Sequence, residues 1–147
     1  MKLLFSKMIK QVMIKQYTTS LPKETGGILF GYYSLDLGTA NITDAFYNIE
    51  DSRGKLRSFY RGKKGFKRFS KKMWAEDKYY LGEWHTHPFS LPNLSNQDKE
   101  EMFKIKETKK YKCPEPILAI VGEVDNQIVI QTYIFFKDDI YCERISS

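Results

Sequence analysis

A mixed α/β domain, one sheet flanked by about three helices, is the architecture this sequence predicts. Three observations carry it. Ile117-Leu118-Ala119-Ile120-Val121 is an unbroken apolar run, as expected of a strand buried on both faces. Three other segments place apolar residues at helical spacing. Short stretches with strand character lie between them, so strands and helices interleave along the chain. No repeat, low-complexity tract or linker interrupts the 147 residues, and a single domain spanning 1–147 with a proper core is expected. Hydrophobic residues at 41% and aromatics at 15% argue for a folded globule and against disorder.

Taken in order, Met1-Lys2-Leu3-Leu4-Phe5 resembles the opening of a signal peptide. Lys7, Lys10 and Lys15 interrupt the apolar run before it reaches the required length. No run approaches the roughly 18 apolar residues of a membrane span, so a cytoplasmic protein without a membrane partner is expected. Ser6 is a suitable N-cap for a helix to about Tyr17, with Met8, Ile9, Val12, Met13 and Tyr17 on its apolar positions. Thr18 to Lys23, containing Leu21-Pro22, reads as a loop. Gly26-Gly27 opens a strand through Tyr33, where glycines permit close approach of a ligand or another backbone. Leu37-Gly38 marks a turn, and Ala40 to Ile49 contains a strand.

From Arg53 to Arg61 the basic residues fall at 53, 55, 57 and 61, with Leu56 and Tyr60 on the opposite parity. That pattern predicts a strand with one solvated basic face. Phe66, Phe69, Met73 and Trp74 define an amphipathic helix with a Lys/Arg-rich outer face. Tyr79-Tyr80-Leu81 leads a strand that ends at Pro88, which cannot donate to a further ladder bond. A helix starts at Ser95 and fades at Lys109-Lys110, cations suited to a helix C-terminus; Pro114 and Pro116 block its continuation. Asp125-Asn126 fits a tight hairpin turn into a strand from Ile128 to Phe136, and Ile140 to Ile145 is a last strand.

The formal charge of +6 is local. Of 24 Lys and Arg residues, ten fall between Arg53 and Lys72 with no acidic residue among them, whereas the rest of the chain carries 14 basic against 18 acidic residues. The segment is either a solvated face or a docking surface for an acidic partner. Nucleic-acid binding would need aromatic platforms such as Phe59, Tyr60, Phe66 and Phe69. Phe66 and Phe69 share a buried stripe with Met73, so nucleic acid is not expected as a partner. Cys113 and Cys142 are too few for a disulfide framework and lack Cys-x-x-Cys spacing; they read as reduced thiols.

The chain has only two histidines, His85 and His87. Two residues apart on a strand, they point to the same face, with Cα atoms ~6.6 Å apart. An isolated His-x-His is more often incidental than metal-binding. Ser95-x-x-Asp98 reads equally as a capping-box variant at a helix start. Asp98, however, shares a helical face with Met102 and Ile105, so its carboxylate turns inward, where it needs a partner or a metal. Two imidazoles and a carboxylate, with no thiolate, form the ligand set of a catalytic zinc that keeps a position for water. Glu83 has the strand parity of both histidines, so geometry alone leaves it open as ligand, base, orienter of a histidine or simple structural residue.

His85-x-His87, seven residues, Ser95, two residues, Asp98 is the signature of the JAMM (JAB1/MPN/Mov34) metallopeptidases, and the chain resembles them without a gap. Lys23-Glu24-Thr25-Gly26-Gly27-Ile28-Leu29-Phe30-Gly31 looks like their upstream glutamate and strand. Together with Gly82-Glu83-Trp84-His85-Thr86-His87-Pro88 it is most similar to the short prokaryotic JAB proteins, found with bacterial ubiquitin-like conjugation enzymes, including anti-phage operons of the type II CBASS kind. The likeness runs from about Glu24 to Val124. Many family members carry a tryptophan two residues before the first histidine, whereas Trp84 here directly precedes it.

The resemblance implies a cytidine-deaminase-like layer arrangement and one Zn²⁺ held by His85, His87 and Asp98. It implies that Glu24 moves the proton from water to the leaving amine and that Ser95 donates to the developing oxyanion. The implied reaction is hydrolysis of a peptide or isopeptide bond after the C-terminal glycine of a ubiquitin-like modifier, with E1/E2-like enzymes as associated partners. Rival readings are a JAMM peptidase acting on a sulfur-carrier protein or other peptide, and a non-catalytic scaffold.

Overall fold

The structure, a computed structural model, describes residues 1–145. In chain order the elements are β1 (Lys2–Phe5), α1 (Lys7–Ser20), β2 (Gly26–Tyr33), β3 (Thr39–Phe46), β4 (Arg53–Gly54), β5 (Phe59–Tyr60), α2 (Phe66–Ala75), β6 (Tyr79–Thr86), α3 (Asn96–Glu107), a 3₁₀ turn (Lys109–Tyr111), β7 (Ile117–Val124), β8 (Gln127–Phe136) and β9 (Asp139–Ile145). Seven strands form one mixed sheet in the order β1-β3-β2-β6-β7-β8-β9. The β1/β3 and β6/β7 pairs are parallel and the others antiparallel. The expected α/β fold with three helices is what the chain adopts.

Apolar alternation on the central strands divides the core between the two sheet faces. Ile9, Met13 and Tyr17 of α1 pack with Leu29, Leu81, Trp84, Ala119, Val121 and Ile130. On the other face α2 covers Ile28, Phe30 and Tyr80, while Met102 of α3 packs with Leu118, Ile120 and Phe135. All of Ile117–Val121 is buried, as a strand covered on both faces requires. No helix among the described residues is long and apolar enough to cross a membrane. Both cysteines are free, Cys113 buried and Cys142 exposed.

Local chemistry explains most boundaries. The Ser6 side chain accepts from Ile9 N–H and starts α1. Asp125 and Asn126 have φ of 52° and 63°, as a type I′ turn between paired strands demands. Four expectations need correction. Lys2–Phe5 is a strand, made so by its parallel register with β3 (Leu3 opposite Ala40). Helix α1 runs on to Ser20 because Thr18, Thr19 and Ser20 hydroxyls donate to carbonyls one turn back, up to the pre-proline residue Leu21. Trp74 is 61% exposed, set edge-on to Tyr79 and under Lys112, so it is not on the buried stripe.

The fourth correction concerns Arg53–Arg61, which is a hairpin and not one strand. Arg53 pairs with Tyr60 and Gly54 with Phe59, and Lys55 N–H donates to the Ser58 carbonyl. Arg61, at its end, is not on a solvated face. Its Nε lies 2.8 Å from Glu83 Oε1 and its Nη2 3.1 Å from Oε2, and Nη2 also donates to Tyr111 Oη at 2.9 Å. Tyr80 Oη donates to the same carboxylate. Glu83 is therefore occupied in tying the hairpin to the sheet.

Removing one member of a buried bidentate pair strands the other charge. Arg61→Met is expected to lower the unfolding free energy by about 3 kcal/mol, and adding Glu83→Gln to recover a large part of it. Urea denaturation of the single and double variants measures both effects; equal losses in the two would contradict the pairing.

Candidate metal centre

Strand β6 delivers the histidines. Gly26 is opposite His85 in the β2/β6 ladder. A Cβ on Gly26 would lie 2.3 Å from the Trp84 carbonyl oxygen and 2.8 Å from His85 Cβ, so only glycine lets the two backbones close at this point. One step upstream, Thr25 N–H donates to Thr86 Oγ1 and Thr86 N–H donates to the Thr25 carbonyl. Glu24 follows, its N–H donating at 2.8 Å to the carbonyl of Lys55 in the hairpin. The loop glutamate is thereby held between the end of β6 and the hairpin. Burial pushes its carboxyl up to about 7, with the His85 charge opposing and the Asp98 charge adding to the rise.

His87 lies just past β6, with its N–H on the Val121 carbonyl at 2.8 Å. Its Nδ1 is 3.2 Å from the Leu91 carbonyl. A carbonyl only accepts, so Nδ1 carries the proton and Nε2 presents a lone pair. Burial and the neighbouring His85 charge lower its pKa and keep the ring neutral. At His85 burial works in the same direction, but the hydrogen bond and charge of Asp98 outweigh it and raise the pKa.

Asp98 comes from the first turn of α3. Ser95 Oγ accepts from Asp98 N–H and Asp98 Oδ2 accepts from Ser95 N–H, both at 3.0 Å, a complete capping box. The cap and the inward carboxylate are one arrangement, since Asp98 Oδ1 lies 3.4 Å from His85 Nε2 and Oδ2 lies 4.0 Å from His87 Nε2. Burial would raise the Asp98 pKa, but the His85 hydrogen bond and charge, with the Ser95 donors, hold it down at about 2.

One donor atom from each of His85, His87 and Asp98 lies within 4.8 Å of the others. Two imidazole nitrogens and an ionised oxygen, brought together without a thiolate, fit a single divalent ion with an open coordination position. The structure thus gathers all five residues singled out from the sequence: the three possible ligands together, Ser95 at the cap that orients Asp98, and Glu24 on the adjoining segment. All five line one cleft of ≈ 1120 Å³. Glu83 also lines it, but its carboxylate is taken up by Arg61 and Tyr80.

Two tyrosines that sequence reasoning did not single out hold the loop after the histidines. Tyr17 Oη accepts from Phe89 N–H and donates to Glu123 Oε1, each at 2.8 Å. Tyr133 Oη donates to the Pro92 carbonyl at 2.7 Å. The only signal was that a tyrosine on a buried stripe must find a partner for its hydroxyl.

Comparison with known proteins bears on the family and the fold. Residues 6–133 match the family described as prokaryotic homologs of the JAB domain. A protein of Enterobacter hormaechei subsp. hoffmannii (strain UCI 50) named CD-NTase/cGAS isopeptidase is 37% identical over 110 residues, covering 75% of this chain and 61% of that protein. The chain therefore spans under two thirds of that relative's length. A solution structure of a Desulfitobacterium hafniense protein superimposes with a TM-score of 0.73 at 20% identity, covering 98% of this chain and 91% of the other; that likeness is one of fold. The family match spans the β2 glutamate segment, the His-x-His strand and the Ser95 helix start, and this chain belongs to the prokaryotic JAB-domain family.

Proposed function

We propose that this protein is a zinc-dependent isopeptidase that cleaves after the C-terminal glycine of a ubiquitin-like modifier or of a conjugate with a similar tail. The observation that carries the reading is the meeting of Glu24 with the His85–His87–Asp98 cluster in one open cleft. The name of the Enterobacter relative supports CD-NTase conjugates as the substrate class. A cytoplasmic role in anti-phage defence beside E1/E2-like enzymes belongs to the same proposal and rests on the likeness of the Glu24 and His85–Asp98 motifs to those of the short prokaryotic JAB proteins.

Zinc, when bound by His85, His87 and Asp98, supplies a Lewis acid that polarises the scissile carbonyl and acidifies water. The chain's own groups do the rest. Glu24, half-buried beside the cluster, takes a proton from the attacking water and passes it to the leaving amine nitrogen, one carboxylate serving first as base and then as acid. Ser95 Oγ already accepts from Asp98 N–H, so its own O–H proton is left to donate to the substrate oxygen as negative charge develops there. Leu91 and Ser95, bonded to His87 and Asp98, fix the direction of two of the three ligands. A tail ending in glycine suits the site because a chain without Cβ atoms can thread between the hairpin and α3.

Glu24→Gln is expected to retain about one zinc per chain and to lose about 10²–10⁴-fold in cleavage of a modifier fusion, read by intact mass and metal analysis. Asp98→Asn should lose the metal as well as the activity, and a chelator should silence the wild type. Cleavage that survives chelation would remove zinc from the reading.

A second expectation concerns pH. The folded-state pKa of Glu24 lies above its ordinary value, so the folded chain holds that proton more tightly than the unfolded chain does. Between pH 4.5 and about 7 the Glu24 contribution to the stability of the metal-free protein should fall as pH rises. Glu24→Gln has no such proton, and its melting temperature relative to wild type in chelator should climb across the same window. A constant difference would show that burial does not perturb Glu24.

A further inference from the structure

Exposed cations of the Arg53–Lys72 segment fall both on and off the cleft. Lys67, Arg68 and Lys71 stand exposed on α2, away from the cleft, whereas Lys55, Arg57 and Lys63, also exposed, line it along the hairpin. Lys104 of α3 lines the same cleft and is exposed too. None of these four makes an ion pair among the described residues. The carboxylates around them give little compensation. Glu83 is taken by Arg61, Asp98 faces the histidines and Glu24 is half-buried beside them, leaving Glu101 as the exposed acid of the lining. Leu56, at the turn between Lys55 and Arg57, is 64% exposed and lines the cleft as well.

Unpaired like charges gathered along one rim repel one another and raise the local concentration of anions. We infer that the cleft selects substrates whose extended segment beside the scissile bond is acidic, bound through Lys55, Arg57, Lys63 and Lys104. The inference rests on the isopeptidase reading and adds to it the charge of the substrate. A polypeptide fits better than a nucleic acid. Phe66 and Phe69 pack into the core against Phe30 and Phe59 is half-buried, so of the four candidate stacking platforms Tyr60 alone is exposed on the rim, too few for the successive stacking by which a single strand is held. A cleft of ≈ 1120 Å³ exceeds the range of roughly 300–1,000 Å³ typical of small-molecule sites.

The test compares two isopeptide-linked model substrates that differ only in whether the flanking segment carries four glutamates or four glutamines. The zinc-loaded wild type should prefer the acidic one in kcat/KM, and the preference should fade as salt rises from about 50 to 300 mM. K55E/R57E should reduce the acidic-to-neutral ratio of kcat/KM about tenfold. The Lys55 carbonyl that holds Glu24 N–H is backbone and survives this change. K67E/K71E makes the same charge change on α2 and should keep the wild-type ratio. No preference in the wild type, or equal loss in both variants, overturns the inference.

If neither substrate is cleaved, the isopeptidase reading fails, and binding still decides the charge question. A fluorescein-labelled acidic peptide of about ten residues should then show anisotropy that is salt-sensitive and lost in K55E/R57E. Tighter binding of a short oligothymidylate than of that peptide would replace the peptide with nucleic acid and overturn the inference.

Discussion

The pairing of β2 with β6 is the constraint on which the rest of this molecule depends. It sets Gly26 against His85, and with that one register the loop glutamate and the His-x-His strand become neighbours. A shift by one residue would send Glu24 away from the cluster and turn the wrong face of β2 to the core, because side chains alternate along a strand. The glycine opposite His85 is what admits the close approach. Irregularities between Leu29 and Phe30 in β2 and at Gly82 in β6 then let the rest of each strand bury its own apolar set.

Around that junction the fold adds supports that are individually ordinary. A capping box turns Asp98 inward. A backbone carbonyl settles the tautomer of His87. Tyr17 and Tyr133 approach the loop between His87 and Ser95 from different elements and hold its backbone at Phe89 and Pro92. Gly122 of β7 lies so close beneath that a Cβ there would meet the Ser90 carbonyl oxygen at 2.5 Å. The loop is irregular in conformation yet pinned along its length, so His87 and Asp98 on its two sides keep a fixed separation.

What could be seen in advance followed from periodicity. Strand parity put His85 and His87 on one face, and three-residue spacing put Ser95 and Asp98 in one cap; both relations are local, and both hold. Glu24 is different. It is one acid among 18, and its position depends on the β2/β6 register, a relation between distant segments, so only the family likeness singled it out. The reversal of the hairpin was hidden because Leu56 and Arg57 at its tip are not turn-forming residues. The basic alternation was real, but it belonged to two short arms and not to one strand. Strand β1 escaped notice for a similar reason, as four residues gain strand character only from a partner some forty positions away.

The two thiols carry a practical corollary. None of the groups gathered at the cleft is a thiol, and the Cys113 thiol is pushed up to about 12 by burial, which leaves it unreactive as a nucleophile. Alkylating agents should therefore spare the residues of the candidate centre. Cys142, on the edge strand β9 and outside the cleft lining, is then the accessible thiol at which a reporter dye can be coupled away from the cleft.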